Sequence, residues 1–463
     1  MNLLKSGFLL KIIIFQLISY SGIAQITPAE MIKNIDRGIN LGNTLSAPYE
    51  GNWAPAVKES YFEDVASVGF KTVRIPIRFD KHTTSMEEVD YIDDQGNYTG
   101  SINDYVVDSS FLNRIEQVVS WALDHDLIAI IDVHGDKWFW ESYKSKSEFY
   151  KTGADRKAAE DRFKAIWRDI SLRFKDYSEN LLFEIMNEPY FAMNADQVHN
   201  TNLAILDIIR EHNPTRIVIV TGGGKNSWET PSTIKPELLA SDKYLIATFH
   251  YYKPGEFTRS GREGFNDFDW GTDEDKSEVD MHFDYVKSWS VANNIPVLLG
   301  EFGADNEGGY NYYKKKYGAF GGPTVESREN YHRYIADAAI SRGFGFTVWD
   351  AGEKASKTIY LASSRSWVKG VKNAVLGIST SAKTIINYPD AVIYPNPCTD
   401  IIHIDSDQEI KAIHIYDQKG FPVKNQYNNN FKVDLTDLPT GFYYIAIYFN
   451  NNKIKTFKLL KEK

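Results

Sequence analysis

One pattern repeats eight times between residues 35 and 377: a short apolar run, a polar loop and then a helical stretch. Several of the apolar runs are continuous, for example Ile-Ala-Ile-Ile at residues 128–131 and Ile-Val-Ile-Val at residues 217–220. Strands that are apolar on both faces are typical of a parallel sheet that helices cover on both sides. The eight predicted strands are Arg37–Leu41, Thr72–Ile77, Leu127–Val133, Leu181–Met186, Arg216–Thr221, Leu245–Phe249, Pro296–Gly300 and Gly345–Val348.

The stretches between these strands have the helical period. In residues 109–124, for example, Phe111, Ile115 and Val118 fall on one face of a helix. Eight strand–helix units of this length favour closure into a (β/α)8 barrel, the TIM barrel, over an open doubly wound sheet. An open sheet that binds a dinucleotide usually carries a glycine-rich fingerprint after its first strand, and none follows the first predicted strand here. The predicted fold class is therefore α/β, a (β/α)8 barrel.

The two ends of the chain differ from this barrel region. Residues 1–24 are predicted to be a secretory signal peptide, because Lys5 precedes a mostly apolar stretch and small residues stand before the cut. Residues 25–379 form the predicted barrel domain, and residues 380–390 form a linker without clear periodicity. Residues 391–463 contain short strands separated by turn residues, which predicts a small all-β domain, a β-sandwich.

Composition narrows the class of protein. The formal net charge is −10 and no basic run is present, which disfavours nucleic acid as a partner. After the signal peptide, no sequence segment is long and apolar enough to predict a membrane span, so we expect an exported, soluble protein without stable membrane insertion. Cys398 is the single cysteine, which excludes an intramolecular disulfide, and we expect it to be an unreactive, half-buried thiol.

Two glutamates follow strands on nearly opposite sides of the predicted barrel. Active sites of TIM barrels lie at the C-terminal ends of the strands, and Glu188 follows the fourth strand while Glu301 ends the seventh. Cleavage of a glycosidic bond needs one carboxylic acid to protonate the leaving oxygen and one carboxylate to attack or to activate water. The two glutamates are therefore the predicted catalytic pair, and this chemistry requires neither a metal nor a cofactor.

Other polar and aromatic residues at strand ends would tune this pair. Arg74 in the second strand would keep the nucleophile ionised, while a neighbouring carboxylate would keep the pKa of the acid raised. His250 and Tyr252 could donate hydrogen bonds around the carboxyl groups, and Trp349 offers a flat surface for a sugar ring. The sequence thus predicts a complete glycosidase site at one end of the barrel.

At these same residues the chain resembles glycoside hydrolase family 5, the cellulase family, over about residues 37–367. Six motifs appear in order on the predicted strands, which is far more specific than a single Asn-Glu-Pro. They are Gly-Ile-Asn-Leu-Gly-Asn-Thr at 38–44, Val-Arg-Ile-Pro at 73–76, Asp-Val-His at 132–134, Phe-Glu-Ile-Met-Asn-Glu-Pro at 183–189, His-Tyr-Tyr at 250–252 and Leu-Gly-Glu-Phe-Gly at 299–303.

The resemblance implies a retaining, double-displacement mechanism in which Glu188 is the acid/base and Glu301 the nucleophile. Asn187 would hold the 2-hydroxyl of the sugar in the cleaving subsite, and Arg74 and Tyr252 would lie against the nucleophile. The predicted substrate-binding residues are Arg74, His134, Asn187, His250, Tyr252, Trp349, Asn43 and Trp228.

One position departs from the family pattern. His134 is followed by Gly135, where many members have a second histidine, so the second contact at this strand end stays open.

Structural roles stay open for several of these residue types. Glu184, Asp132 and Asp350 are expected to be buried structural groups, with Glu184 paired to a barrel arginine. His134 and His250 could be core histidines or metal ligands, although no motif typical of a metal site accompanies them. Tryptophans in predicted loops above the barrel are candidates for stacking on sugars: Trp53, Trp138, Trp140, Trp228 and Trp270.

The substrate is less tightly determined. The motifs at 40–44 and 250–254 look like the endoglucanase branch of the family, which implies cellulose, mixed-linkage β-glucan or xyloglucan. A β-mannanase of the same family stays open, because selection between an axial and an equatorial 2-hydroxyl depends on loop geometry. A non-catalytic glycan-binding surface protein is a second alternative, although both glutamates are present. An intracellular enzyme for phosphorylated substrates conflicts with the signal peptide and lacks a recognisable phosphate loop.

The tail from residue 392 resembles the type A sorting domain of the type IX secretion system. The matching pieces are Ile-Tyr-Pro-Asn-Pro at 393–397, Ile-His-Ile-Tyr-Asp at 413–417 and Leu-Pro-Thr-Gly-Phe-Tyr at 438–443. The resemblance implies the type IX machinery as a partner and export through the periplasm and outer membrane to a secreted or cell-surface location. An ordinary accessory β-sandwich, such as a carbohydrate-binding module, is the alternative.

Overall fold

The chain divides into two compact units, one within residues 1–380 and one within residues 381–463. The predicted signal peptide, residues 1–24, and the predicted linker, residues 380–390, lie outside the described residues. The computed structural model describes residues 25–135, 137–144, 152–189, 192–224, 227–378, 391–406, 409–418, 421–426, 431–450 and 454–463.

Eight parallel strands in the first unit close into a barrel. Each strand pairs with the next one along the chain, and the eighth pairs with the first. The predicted (β/α)8 fold is confirmed. The barrel strands are Arg37–Asn40, Thr72–Arg78, Ile128–His134, Leu181–Glu184, Val218–Val220, Leu245–Tyr251, Val297–Phe302 and Gly345–Val348.

The observed strands differ from the predicted ones by no more than two residues at either end. The fourth strand ends two residues earlier than predicted, at Glu184, because the chain leaves the ladder before the catalytic segment. The sixth and seventh strands continue two residues further, to Tyr251 and Phe302. Two short antiparallel ladders extend from loops, Tyr310–Asn311 with Lys316–Tyr317 and Tyr360–Leu361 with Ser366–Trp367.

Helices surround the barrel, and several begin at a residue that caps them. Thr27, Thr152, Asn194 and Thr272 each form a capping box, in which the cap side chain and the third helical residue satisfy each other's backbone amides. The α-helices are Pro28–Ile35, Glu59–Val68, Ser109–Asp124, Lys137–Trp140, Gly153–Arg173, Ala195–His212, Pro236–Ser241, Gly255–Thr258, Asp273–Asn293, Val325–Ser341 and Lys369–Val375. Single 3₁₀ turns occur at Met86–Glu88, Ile102–Asp104, Glu141–Tyr143, Thr230–Thr233 and Glu307–Gly309.

The lower, N-terminal half of the barrel interior is apolar. Helix Pro28–Ile35 covers this end, and the Thr72 hydroxyl donates a 2.9 Å hydrogen bond to the carbonyl of Ile35. The side chains there form one buried cluster: Met31, Ile32, Ile35, Ile128, Ile130, Leu182, Ile217, Ile219, Ile246 and Leu298.

The upper, C-terminal half of the same interior is polar. In the third strand Ile128 and Ile130 belong to the lower cluster, and Asp132 and His134 follow on the same face because side chains alternate along a strand. The outward faces of the strands pack against the helices in a much larger apolar core. The N-terminal end of the barrel interior is therefore filled with apolar side chains, and the C-terminal end carries the polar side chains.

The second unit is all-β, as predicted. A three-stranded antiparallel sheet contains Ala391–Tyr394, Ile401–Ser406 and Lys432–Asp434. A four-stranded antiparallel sheet contains Ile410–Tyr416, Pro422–Gln426, Gly441–Phe449 and Ile454–Lys461. This unit has its own apolar core, and Cys398 lies inside it rather than half-exposed.

Within the described part of the chain, no helix has the length and apolar character needed to cross a membrane.

Candidate active site

Hydrogen bonds from neighbouring strands and one helix hold the segment that carries Glu188. The amide of Ile185 donates to Ile219 at 3.1 Å, and the amide of Asn187 donates to Val133 at 3.1 Å. From the helix layer, the buried indole of Trp167 donates a 3.0 Å hydrogen bond to the carbonyl of Ile185. The backbone just before Glu188 is thus fixed on both sides of the fourth strand.

A change of register places Glu301 in the barrel interior. Between the sixth and seventh strands Phe249 pairs with Leu299, whereas His250 pairs with Glu301, so Gly300 is an extra residue on the seventh strand. Such a bulge breaks the alternation of faces and re-aims a side chain. A Cβ at residue 300 would lie 2.8 Å from the Thr248 hydroxyl and 3.0 Å from His250 Nε2, which explains the glycine.

Arg74 ties both catalytic strands together. Its side chain is fully buried, and its Nη1 donates to Glu301 Oε1 at 2.9 Å and to Asn40 Oδ1 at 2.9 Å. Its Nη2 donates to Asn187 Oδ1 at 2.9 Å. The nucleophile candidate, its arginine and the neighbour of the acid candidate are therefore parts of one network.

Two further carboxylates complete the surroundings of Arg74. Glu184 accepts two hydrogen bonds from the guanidinium, at 2.7 and 3.0 Å, and Asp132 Oδ2 lies 2.6 Å from Nη2. Burial alone would lower the pKa of Arg74, but the charges of Asp132, Glu184 and Glu301 raise it well above its ordinary value. Glu184 is thus placed as a partner of a barrel arginine, and Asp132 shares that position.

Glu301 is also bound on its second oxygen. The Tyr252 hydroxyl donates to Glu301 Oε2 at 2.9 Å, while Arg74 holds Oε1. Burial, followed by the charges of Glu301 and Glu188, raises the pKa of Tyr252 well above its ordinary value, which keeps it a proton donor in this bond.

Glu188 and His250 form a close pair. His250 Nδ1 lies 2.7 Å from Glu188 Oε1 and 3.7 Å from Glu301 Oε2. Burial by itself lowers the pKa of His250, but the charges of Glu301 and Glu188 and the hydrogen bond to Glu188 raise it. Burial by itself raises the pKa of Glu188, but the hydrogen bond and charge of His250 outweigh it and lower that pKa. The pKa of Glu188 is thus lowered where a raised value was expected, and both shifts favour an ion pair between His250 and Glu188.

The remaining predicted residues lie on the opposite wall. The rings of His134 and Trp349 stack with centroids 5.7 Å apart, and His134 Nδ1 lies 3.3 Å from Asp132 Oδ1. Asn43 adopts a left-handed backbone conformation, φ 58°, and donates to the carbonyl of Ala351 at 3.0 Å, which joins the loops of the first and eighth strands.

The position beside His134 that departs from the family pattern is occupied from a neighbouring strand. A Cβ at Gly135 would lie 3.0 Å from Cγ of Arg78, and Gly135 has a φ of +64°. Arg78 pairs with His134 in the ladder and forms a bidentate ion pair with Asp80, at 2.5 and 2.8 Å. Arg78 therefore fills the space that a second histidine would need.

The tryptophan candidates separate into different environments. Trp228 lies with its ring stacked on His282, at a centroid distance of 4.3 Å, and its chain neighbours Ser227 and Glu229 line the cleft. Trp53 is 44% exposed, whereas Trp270 is only 4% exposed and packs on Tyr331, so the expectation of a loop ring free for sugar is wrong for Trp270. Trp138 and Trp140 have cations over their rings, from Arg162 at 4.7 Å and Lys144 at 4.8 Å.

Asp350 is a buried structural group. Its carboxylate accepts from the backbone amides of Gly352, Ile359 and Tyr360, which shapes the loop after the eighth strand. Burial outweighs these hydrogen bonds and raises the pKa of Asp350 to about 7.

An open cleft of about 660 Å³ lies over the pair. Asn43, Glu188, Tyr252, Glu301 and Trp349 line it as the sequence predicts. The sequence interpretation missed Asn40, which Arg74 binds, and a set of loop residues that also line the cleft: Ser227, Glu229, Lys253, Arg259, Arg262 and Lys357. Asn40 lies in a quoted motif and could have been chosen, whereas the loop residues carry no periodic signal.

Glu188, His250 and Glu301 have ligand atoms within 4.8 Å of one another, a group close enough to hold a cation. Both oxygens of Glu301 already accept hydrogen bonds from Arg74 and Tyr252, and the Arg74 charge would repel a metal ion. The hydrogen-bond pattern is that of a proton-transfer site.

Comparison with known proteins agrees with this geometry. The family model Cellulase (glycosyl hydrolase family 5) matches residues 38–355, and the Secretion system C-terminal sorting domain matches residues 392–462. The second match confirms the sorting domain and indicates export, with secretion or attachment at the cell surface.

Curated relatives and solved structures point the same way. Endoglucanase H of Acetivibrio thermocellus is 41% identical over 359 residues, which cover 77% of this chain and 34% of that protein. Endoglucanase B of Clostridium cellulovorans is 28% identical over 72% of this chain and 70% of its own length. The chain spans about a third of the length of Endoglucanase H and of the Cellulase/esterase CelE of the same organism.

Among solved structures, a hyperthermophilic endo-β-1,4-glucanase in complex with substrate has a TM-score of 0.62 and 29% identity, and covers 76% of this chain and 100% of its own. Thermotoga maritima Cel5A in complex with mannotriose has a TM-score of 0.60 and 26% identity, and covers 75% of this chain and 99% of its own. This chain thus belongs to the cellulase family, glycosyl hydrolase family 5.

Proposed function

We propose that the chain is an endo-acting β-glucanase that hydrolyses β-1,4-glucosidic bonds with retention of configuration. The carrying observation is the spacing of the pair: a carboxylate oxygen of Glu188 lies within 4.8 Å of one of Glu301. Retaining enzymes hold their two carboxyl groups about 5–5.5 Å apart, whereas inverting enzymes leave about 6.5–9.5 Å for a water molecule.

In the first step Glu301 attacks the anomeric carbon, and the bond to the leaving oxygen breaks as Glu188 protonates that oxygen. Arg74 and Tyr252 each hold one oxygen of the Glu301 carboxylate, which limits its rotation. The product is a glycosyl ester on Glu301 and a free chain end.

The proton for this step comes from the Glu188–His250 pair. Because His250 has the raised pKa and Glu188 the lowered one, the proton rests on Nδ1 of His250, 2.7 Å from Glu188 Oε1. It moves through Glu188 to the leaving oxygen as negative charge develops there. In the second step Glu188 takes a proton from the attacking water, the ester bond breaks, and the pair regains its proton.

The sugar contacts follow the predicted set. Trp349 and Asn43 line the cleft beside the pair, and Asn187, held by Arg74, lies next to the acid/base. We propose that Asn187 binds the 2-hydroxyl and that Trp349 stacks on the sugar ring. Trp228, whose partly exposed ring stacks on His282, stays a proposed sugar contact.

β-Glucan is the substrate class that most of the named relatives support, and β-mannan is a specific second candidate. One structural neighbour is titled as a complex with mannotriose and another, of the same protein, as a complex with cellobiose. The decisive measurement is reducing-sugar release on carboxymethylcellulose, barley β-glucan, xyloglucan, xylan and mannan, with NMR of the first anomer formed. Release from glucans with a β-anomer first supports the proposal.

Two other results would replace it. Release from mannan alone would keep the mechanism and change the substrate. If folded protein releases no reducing sugar from any of the polymers, the result would favour a glycan-binding protein.

The tail is proposed to be an export signal that catalysis does not need. Residues 391–463 have their own core, and the barrel residues have theirs, so we propose residues 25–379 as the catalytic domain. A chain shortened to end at Thr380 should fold and keep its kcat, while the complete chain alone should reach the culture medium or cell surface through type IX export. Loss of activity in the shortened protein would make the tail part of the enzyme.

A further inference from the structure

The loop after the sixth strand places three cations on the catalytic cleft. Lys253, Arg259 and Arg262 line the same cavity as Glu188 and Glu301. Arg259 and Arg262 are exposed, and Lys253 is half-buried. We call Lys253, Arg259 and Arg262 the cationic loop.

A buried ion pair anchors this loop. Lys357, only 6% exposed, bonds to Asp305 and donates to the carbonyl of Thr258 at 2.8 Å. Asp305 in turn accepts from the amide of Gly261 at 3.0 Å, between the two arginines.

Close packing fixes the same stretch further. A Cβ at Gly261 would lie 2.9 Å from Asp305 Oδ2, so glycine permits the close approach. The Thr258 hydroxyl donates to the carbonyl of Tyr252 at 2.8 Å, which links the loop to the residue that binds Glu301. The guanidinium of Arg259 lies 4.7 Å from the ring centroid of Phe265. The backbone that carries these charges is therefore held in place, and the Arg259 guanidinium is held against Phe265.

The cationic loop is not neutralised by the protein. Among the described residues, none of its three side chains forms a salt bridge. Most other arginines of the barrel unit do form one: Arg37, Arg74, Arg78, Arg114, Arg168, Arg173, Arg210, Arg328, Arg342 and Arg365. Glu229 also lines the cleft and is the one acidic side chain there besides the catalytic pair. The cleft of a protein with net charge −10 therefore carries three cations that are available to a ligand.

We propose that the cationic loop binds an anionic group, a carboxylate or a sulfate, carried by the polysaccharide chain in the cleft. The proposal rests on the function given above and narrows its substrate class to acidic glucans or to the acidic segments of glucans. Guanidinium groups recognise both anions through paired hydrogen bonds, and the lysine adds a point charge.

The test compares anionic and neutral forms of one backbone. For the full chain, kcat/KM is measured on carboxymethylcellulose, on cellulose sulfate and on neutral hydroxyethylcellulose, with the three polymers at the same degree of chemical substitution. Two ratios are compared: the value on each anionic polymer divided by the value on hydroxyethylcellulose. In the variant Arg259→Gln/Arg262→Gln both ratios should fall about five- to tenfold, mainly through KM, because two exposed charge contacts to the anionic polymer are lost. The matched control Lys71→Gln/Lys175→Gln removes two exposed cations before the second and fourth strands and should leave the ratios as in the parent.

Salt provides a second readout, because screening weakens exposed charge interactions. The parental ratios should fall as NaCl rises from about 0.02 to 0.5 M, and those of the double variant should stay flat. A fall for one anion alone identifies the carboxylate or the sulfate as the recognised group. Ratios that are the same in parent, variant and control would overturn the proposal.

Failure of the enzyme proposal would look different. If no polymer is hydrolysed, affinity electrophoresis in gels that contain the same three polymers still measures binding. Retardation by the anionic polymers that Arg259→Gln/Arg262→Gln abolishes would support the anion site, and equal mobility of parent and variant would exclude it.

Discussion

The two halves of the barrel interior are built from the same strands and have opposite properties. The lower half is a cluster of ten apolar side chains, three of which come from helix Pro28–Ile35 and seven from the strands and the residue before the fifth strand. The upper half contains one buried arginine that bridges three carboxylates, Asp132, Glu184 and Glu301. A buried apolar side chain stabilises the folded state without needing a specific partner. A buried charge network stabilises the folded state only while every charged group keeps its partner.

This difference teaches how one strand can serve both purposes. Along the inward row of the third strand, Ile128 and Ile130 fill the lower cluster, and two residues later Asp132 contacts Arg74. The lower half can lose a methyl group at a moderate cost in stability and no cost in chemistry. The upper half should fail in both respects when one partner is removed.

The largest expected effect is on turnover from the catalytic pair. Glu188→Gln and Glu301→Gln remove the acid/base and the nucleophile while preserving size, so each should lower kcat at least about a thousandfold. Both variants should still bind substrate, and Glu188→Gln should keep the unfolding midpoint, whereas Glu301→Gln should lower the midpoint because Arg74 loses a charged partner. Initial rates, affinity electrophoresis and urea titration measure these three quantities. Near-parental turnover in either variant would remove that glutamate from the mechanism.

Removing the bridging cation should damage the upper half next most. Arg74→Met leaves three carboxylates in a buried site without their counter-ion, and breaking such a network costs about 3–5 kcal/mol of unfolding free energy. Because those carboxylates would then take up protons, the loss should be larger at pH 7 than at pH 5.

Urea unfolding at both pH values measures this effect, with Arg74→Lys as the variant that keeps the charge. An equal loss at the two pH values would mean that packing, rather than charge, holds this half together.

The lower half should behave as a plain apolar core. Ile130→Ala removes a fully buried side chain and should cost about 2–4 kcal/mol of unfolding free energy through lost burial and the cavity left behind. At a temperature where the variant is folded, its kcat should stay within about twofold of the parent. A large fall in kcat would show that the two halves are mechanically coupled.

Much of the barrel could be predicted from the sequence. All eight predicted strands are present in the barrel. They could be predicted because an apolar run indicates a strand that is buried on both faces, and such a run is visible in the local sequence. The ends of strands were less accurate, since Val218–Val220 pairs over three residues where Arg216–Thr221 was predicted. Ladder ends depend on where neighbouring strands stop, and that is a property of the assembled sheet.

The site could be predicted as a set of residues but not as a geometry. The bulge that re-aims Glu301 depends on register with Phe249 and His250, which no pattern within one strand reports. The lowered pKa of Glu188 depends on a 2.7 Å contact with His250 across two strands. The burial of Trp270 depends on a neighbouring helix, and its loop sequence gives no sign of it.

The smallest expected effect is a pH dependence of the unfolding free energy that comes from the polar half of the barrel and not from the apolar half. His332 packs behind the polar end of the barrel, with its ring 6.1 Å from that of Phe302 and Nδ1 2.7 Å from the carbonyl of Arg328. Burial, aided by the charge of Arg328, lowers its pKa to about 3. Stability from neutral His332 is therefore complete above the unfolded pKa of about 6.5 and is lost as pH falls from there toward 3.

At pH 5 this loss should be about 2 kcal/mol relative to pH 7.5. His332→Gln should remove that part of the pH dependence, whatever its effect at neutral pH, while the exposed His212→Gln should leave it unchanged. Urea unfolding at the two pH values measures the difference. The lower apolar cluster contains no titratable side chain, so Ile130→Ala should show the parental pH dependence on top of its constant loss. If His332→Gln and His212→Gln keep the same pH dependence, the acid sensitivity lies elsewhere, and buried His282, whose pKa burial lowers to about 4, is the next group to replace.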